Sequence, residues 1–194
     1  DVAWALDSVA HVDLAATQRW KRLTLEGDGT SFISSSARWR WEGGGGDRLD
    51  VHHTRVGNSD PLWADLVLTS SHVVTEFSAP RVAKCTFEHT PWHCHLSPGG
   101  NWTQCTFSGN PGGIGLALVQ STAPHSLDGC SFHSLETGLL VDQSSSHLAC
   151  SEWTHCTTGM ALKDGGEAVL VAAVGGHNRF EMNDRHATWD EAPW

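Results

Sequence analysis

A tripeptide of the form Cys-Thr/Ser-Phe recurs through the middle of the chain and is its strongest fold signal. The three copies begin at Cys85, Cys105 and Cys130, which are 20 and 25 residues apart. The cysteine and phenylalanine of each copy are two residues apart, so on a β-strand their side chains point to the same face. A repeat of this length corresponds to one turn of a solenoid. We therefore expect a stack of similar turns in which the cysteine and the phenylalanine of each copy face inward.

A second short apolar segment follows each tripeptide and supplies two further columns of residues. Both columns advance in steps of 22, 23, 21 and 20 residues. The first predicted inward column consists of Cys94, Leu116, Leu139, Met160 and Phe180, and the second of Leu96, Leu118, Val141, Leu162 and Met182. Because two columns in register are improbable by chance, they support the same stack of turns.

The cysteines form a third predicted column, with Cys150 following 20 residues after Cys130 and Trp153 near the next aromatic position. The column consists of Cys85, Cys105, Cys130 and Cys150. Inside a stack these residues are expected to be small, buried and free thiols. Stacked strands lie about 4.8 Å apart, so disulfides between neighbouring turns remain the alternative. No Cys-x-x-Cys pair occurs, so a zinc finger is not expected.

These residues resemble the right-handed parallel β-helix, the pectin-lyase-like fold. The likeness is clearest over residues 82–183 and weaker at 23–30, and further strands are expected at 38–41, 49–56, 65–69 and 72–77. The fold expected is thus all-β, a right-handed parallel β-helix with turns of about 20–25 residues. A leucine-rich solenoid is the rival, but its Leu/Asn signature is missing. We expect one domain over 1–194, with 1–22 as an N-terminal cap or lead-in and 184–194 as a C-terminal cap or tail.

Composition excludes several classes of function. The chain has 194 residues with 12 Lys and Arg against 22 Asp and Glu, a formal net charge of −10. This acidic balance argues against nucleic-acid binding, which needs clustered basic residues. No segment approaches the roughly 18 apolar residues of a membrane span. The first residue is Asp and no signal-like segment follows it, so a fragment or a processed product is expected.

Trp39 and Trp41 are a candidate carbohydrate-binding platform. They flank Arg40, so on a strand both indoles point to one face. Flat aromatic faces stack on sugar rings, and extracellular β-helices often handle glycans. The alternative is that both rings pack within the protein or against another subunit.

His93 and His95 are the best candidate metal ligands. As alternate residues of a strand they point the same way, on the face opposite Cys94. His89, His52 and His53 are further candidate ligands. With 13 histidines in the chain, a solvated surface pair is the alternative.

An enzyme is a weaker interpretation, although many pectin-lyase-like proteins cleave acidic polysaccharides. The inverting hydrolases of that fold need paired carboxylates, and this chain has no Asp-Asp pair. The lyases of that fold use acidic calcium ligands on consecutive turns. Asp142 and Asp164 are one turn apart with Lys163 beside them, but Asp128 is out of step. No catalytic residue and no cofactor is therefore assigned.

A structural or binding role is the preferred hypothesis. Residues 128–171 also resemble, over short motifs, the β-helix of an adenoviral early large tumour-antigen family and a related capsid-surface protein. The resemblance implies a non-catalytic β-helix of a virion or cell surface, extracellular or on the virion, that acts in assembly or attachment. The expected partners are further copies of the chain, with a trimer favoured, and other capsid or surface proteins or glycans. A polysaccharide lyase or hydrolase, or a fragment of one, is the alternative.

Overall fold

The computed structural model describes residues 2–5, 11–14, 16–54, 60–109, 112–171 and 176–189, and within them every regular element is a β-strand. The strands are β1 (Val2–Ala5), β2 (His11–Leu14), β3 (Gln18–Ser35), β4 (Trp39–Thr54), β5 (Leu62–Thr69), β6 (His72–Glu76), β7 (Arg81–Ala83), β8 (Thr86–Glu88), β9 (Trp92–His95), β10 (Asn101–Thr103), β11 (Thr106–Ser108), β12 (Ile114–Val119), β13 (His125–Asp128), β14 (Ser131–His133), β15 (Thr137–Asp142), β16 (Ser145–Ala149), β17 (Glu152–Thr154), β18 (Thr158–Lys163), β19 (Glu167–Val171), β20 (Arg179–Glu181) and β21 (Arg185–Trp189). Over the same residues, a helix able to cross a membrane is not found.

The strands pair in parallel and form three series that run along the stack. After the long strands β3, β4 and β5, each turn contributes one strand to each series. The first series then contains β7, β10, β13, β16 and β19, the second β8, β11, β14, β17 and β20, and the third β6, β9, β12, β15, β18 and β21. The long strands β3, β4 and β5 each contribute to more than one series. The result is a β-solenoid of about seven turns, which confirms the predicted all-β parallel β-helix. Parallel pairing also includes β1, β2 and β21, near both ends of the described chain.

Residues with positive φ form the three corners at which the chain passes from one series to the next. In the described part of the chain, sixteen of them are not glycine and have φ between 45° and 58°. They are Arg22, Asp65, Lys84, Gln104 and Cys150 at the first corner, Arg48, Ser70, His89, Ser134, His155 and Met182 at the second, and Phe77, Leu96, Gln120, Gln143 and Asp164 at the third. This left-handed conformation is unfavourable for side-chain-bearing residues. The stacked pairing on both sides therefore has to hold it in place.

A small polar side chain directly after a corner often closes that corner. The Ser151 hydroxyl accepts a hydrogen bond from the backbone N–H of Cys130 at 3.1 Å. The Ser144 hydroxyl accepts one from the N–H of Ser121 at 2.9 Å. The Asn183 side-chain oxygen accepts one from the N–H of Cys156 at 2.8 Å. These bonds join neighbouring turns and satisfy backbone donors that the corner removes from the strands.

The aromatic residues of the second series form a continuous stack through the core. Phe107 and Phe132 are parallel with their ring centroids 4.9 Å apart, and Phe132 and Trp153 follow at 5.4 Å. Phe180 continues the stack 4.5 Å from Trp153. The predicted place of Phe180, in register with Met160, is therefore wrong, because Met160 pairs with Ala187 of β21.

The register of the third series agrees with the prediction in the middle turns and differs at the ends. Leu116, Leu139 and Met160 pair in one column, as expected. Cys94 instead pairs with Leu118, one column away, and Trp92 takes the place beside Leu116. The length of a turn does not show how many of its residues lie in strands and how many lie at corners. A constant step between residues of neighbouring turns therefore does not determine which of those residues pair.

Three further predicted core residues lie at corners instead. Leu96 and Met182 are 39% and 74% exposed, because their positive φ turns their side chains outward. Cys150 occupies the corner before β17, and Ser151 takes the buried position beside Cys130. Cys85, Cys105 and Cys130 are buried as expected.

Candidate functional site

The two tryptophans of the predicted sugar platform lie in the core. Trp39 and Trp41 are both fully buried, and their rings stack 5.6 Å apart at an interplanar angle of 16°. The Trp41 indole N–H donates a hydrogen bond to the Leu23 carbonyl at 3.2 Å. Trp20 and Trp63 pack edge-on against Trp39. The rings offer no face to a glycan, so the expected sugar platform is corrected to the packing alternative.

The predicted histidine pair lies on the outward face of the third series. His93 and His95 are half-buried and their rings are 6.0 Å apart at 17°. Burial, together with the nearby His72 and His95, lowers the pKa of His93 below its usual value. The neutral imidazole is the form that can bind a metal. Of the further candidates, His53 is buried in the core and His89 lies at a corner.

A tighter cluster of possible metal ligands lies on the same face. Its residues belong to β6, which pairs with the strand of His93 and His95, and to β4, which pairs with β6. Asp50 and His52 are alternate residues of β4, and His72 of β6 pairs directly with Asp50. The Nε2 atom of His52 and the Nδ1 atom of His72 each lie 3.2 Å from Oδ1 of Asp50. One ligand atom from each of the three residues lies within 4.8 Å of the others. We call Asp50, His52 and His72 the Asp-His-His cluster.

The cluster is continuous with the predicted pair. His93 packs edge-on against His72 with ring centroids 5.3 Å apart. Asp50 and His72 were not connected from the sequence, although their separation of 22 positions equals one turn. That step, combined with the i to i+2 spacing of Asp50 and His52, is the sequence signal for the cluster.

The protein core keeps the thiols of Cys85 and Cys94 protonated. The six cysteines are free thiols in the described structure. Hydrogen bonding to Cys105 and burial raise the pKa of Cys85 far above its usual value. Burial raises the pKa of Cys94 to about 11. Because the thiolate is the reactive form, Cys85 and Cys94 act as packing groups at neutral pH.

The carboxylates considered for lyase chemistry do not converge. Asp142 pairs with Lys163 on the third series, and Asp164 occupies the next corner. Asp128 belongs to β13 of the first series, on another face. These residues therefore do not form the shared calcium site that a lyase of this fold would need.

The last described turn, formed by β19, β20 and β21, exposes apolar residues that continue the core columns. Leu170 pairs with the buried Leu148 but is itself 54% exposed. Trp189 pairs with Leu162 and is 77% exposed. The other exposed apolar residues of this turn are Val169, Val171 and Met182.

Protein-family models, curated proteins and solved structures were compared with this chain, and none matches it.

Proposed function

We propose that this chain is a non-catalytic structural and binding β-helix that acts in assembly or attachment at a virion or cell surface. The right-handed, pectin-lyase-like form of the solenoid is part of this proposal. The observation that carries it is the apolar surface of the last described turn. A surface of this kind is what a protein uses to join a partner.

The exposed residues of that turn belong to the same columns as the core. Leu148 and Leu162 are covered by the turn that follows them, whereas Leu170 and Trp189 have no such cover among the described residues. Among the described residues, the strands β19, β20 and β21 also form one edge of the parallel stack. Unpaired backbone groups at such an edge favour pairing with another chain.

We propose that a second copy of this chain covers the turn. The exposed columns have the spacing of the chain's own turns, so another copy offers surfaces of matching period. Identical chains assemble most often through closed, symmetric contacts. A trimer is the favoured form, by analogy with viral spikes built from β-helices.

Sedimentation of the full chain tests the proposal. We expect the unchanged protein to form an oligomer at micromolar concentration. Leu170→Ser and Trp189→Ser should each shift it toward the monomer, because each removes apolar area from the contact. Val67→Ser is the matched control, since Val67 is also about half exposed but lies on β5.

Two results would contradict the proposal. One is a monomer at every concentration, and the other is an equal loss of assembly in the Val67→Ser control. Incubation with acidic polysaccharides and calcium tests the enzyme alternative. Cleavage that remains in a monomeric variant would establish that alternative instead.

A further inference from the structure

We infer that the Asp-His-His cluster is a binding site for a single Zn²⁺ ion. The ligands assigned are Oδ1 of Asp50, Nε2 of His52 and Nδ1 of His72. This inference does not depend on the assembly proposal, because the cluster lies on β4 and β6 rather than on the last turn.

The distances in the cluster fit a tetrahedral ion. Zinc binds imidazole nitrogen at about 2.0–2.1 Å and carboxylate oxygen at about 2.0–2.2 Å, which places neighbouring ligand atoms about 3.3–3.5 Å apart. Oδ1 of Asp50 lies 3.2 Å from both imidazole nitrogens. The His52 and His72 rings are nearly perpendicular, at 80°, with centroids 6.2 Å apart. Small side-chain rotations would thus bring three ligand atoms around one ion.

The chemistry of the ligand set selects zinc over the common hard cations. Two imidazole nitrogens and one carboxylate oxygen suit zinc and related transition metals. Calcium and magnesium prefer six or more oxygen ligands, which these three residues do not supply. The single carboxylate also places a negative charge beside the dication.

The position of the cluster allows an ion to enter without unfolding. The side chains of His52, Asp50 and His72 are 38%, 41% and 43% exposed. Their backbones are nevertheless fixed in paired strands, so the ligand spacing exists before the ion binds. The His93 ring packs edge-on against the His72 ring. With three protein ligands, the fourth position of the tetrahedron is left to water.

Calorimetric titration of the full chain with a zinc salt at neutral pH tests the site. We expect one ion to bind with the highest affinity. Asp50→Asn, His52→Ala and His72→Ala should each weaken that event by at least about tenfold, since even outer residues of metal sites change affinity by about 10–100-fold. His147→Ala is the control, because His147 is an exposed histidine on β16 of the first series. Circular dichroism of each variant verifies that the stack is intact.

Cobalt(II) gives a second readout, because its visible absorption reports the coordination geometry of the bound ion. A tetrahedral site produces visible absorption, which we expect in the unchanged protein and in His147→Ala but not in His72→Ala. The inference is overturned if zinc does not bind. It is equally overturned if all three cluster variants bind zinc like the unchanged protein, or if magnesium binds as tightly as zinc.

Discussion

At the scale of single residues, His125 is a histidine buried in the core of the stack. It is fully buried on β13, where its ring lies 5.3 Å from that of Trp102 and its Nε2 lies 2.6 Å from the Ser121 hydroxyl oxygen. Burial lowers the pKa of His125 to about 4. The residue therefore stays neutral in the folded protein under mildly acidic conditions.

This shift predicts a loss of stability on acidification. Below about pH 6.5 the unfolded chain binds a proton at His125, whereas the folded chain does so only near pH 4, so the free energy of unfolding falls between these values. The limiting contribution is about 3 kcal/mol. Urea unfolding at pH 7.5 and 4.5 should show a smaller pH effect in His125→Gln than in the unchanged protein. An equal reduction in the exposed control His147→Gln would contradict this.

Leu139 tests the predicted core at one position. It is fully buried between Leu116 and Met160, so Leu139→Ala should lower the free energy of unfolding by about 2–5 kcal/mol. The next residue, Leu140, lies on the outward face and provides the control. Denaturant unfolding measures both variants, and a cost below about 1 kcal/mol for Leu139→Ala would place that residue outside the stack.

At the scale of strands, Gly138 of β15 permits close packing between the second and third series. A Cβ atom on Gly138 would lie 2.6 Å from the Gly159 carbonyl oxygen and 2.6 Å from Cδ1 of Trp153. We expect Gly138→Ala to lower the free energy of unfolding by about 1–3 kcal/mol, because backbone and ring must both move. Thermal unfolding compares it with Gly112→Ala, where an added Cβ meets nothing within 4 Å. Equal melting temperatures would contradict the close contact.

The strands were predictable because their apolar residues alternate, whereas the corners were not. The expected strands at 65–69 and 72–77 overlap β5 and β6, and the Cys-Thr-Phe copies precede or form β8, β11 and β14. Corner positions are occupied by Arg, Gln, Ser, Leu and Met rather than mainly by glycine, so they carry no composition signal. The register errors at Cys94, Cys150 and Phe180 follow from this.

The glycine run at residues 43–46 is a corner that the sequence does reveal, although its second role is not visible there. As a sequence it indicates a flexible turn. In the structure it lies within β4, where Gly43 and Gly44 have positive φ at the first corner, so a turn is present. An added Cβ on Gly44 or Gly45 would also lie about 2 Å from a neighbouring carbonyl oxygen. Here the glycines satisfy close packing between turns, which only the three-dimensional neighbours reveal. The Asp-His-His cluster was missed for the same reason, since it depends on the pairing of β4 with β6.

At the scale of the whole molecule, the histidine content predicts that the proposed self-association depends on pH. Full protonation of the 13 histidines would change the formal net charge from −10 to +3. Acidification moves the net charge in this direction, because each histidine that takes up a proton gains one positive charge. Loss of net negative charge reduces repulsion between copies, so assembly should tighten on mild acidification.

Analytical ultracentrifugation from pH 8 to 5.5 at fixed ionic strength measures this effect. The destabilisation expected from His125 acts against it, so circular dichroism at each pH has to verify that the protein remains folded. Weaker association of the folded protein at pH 5.5 than at pH 8 would contradict the prediction.

The parallel pairing of the third series also sets the distance between two of the surfaces described above. Successive strands of the series are one strand spacing apart, and five such steps separate β6, which carries His72, from β21, which carries Trp189. At about 4.8 Å for each step, the two sites are held about 24 Å apart along the stack. Removal or duplication of one complete turn between them would change that distance by one strand spacing, about 4.8 Å, while the local geometry of each site stays the same.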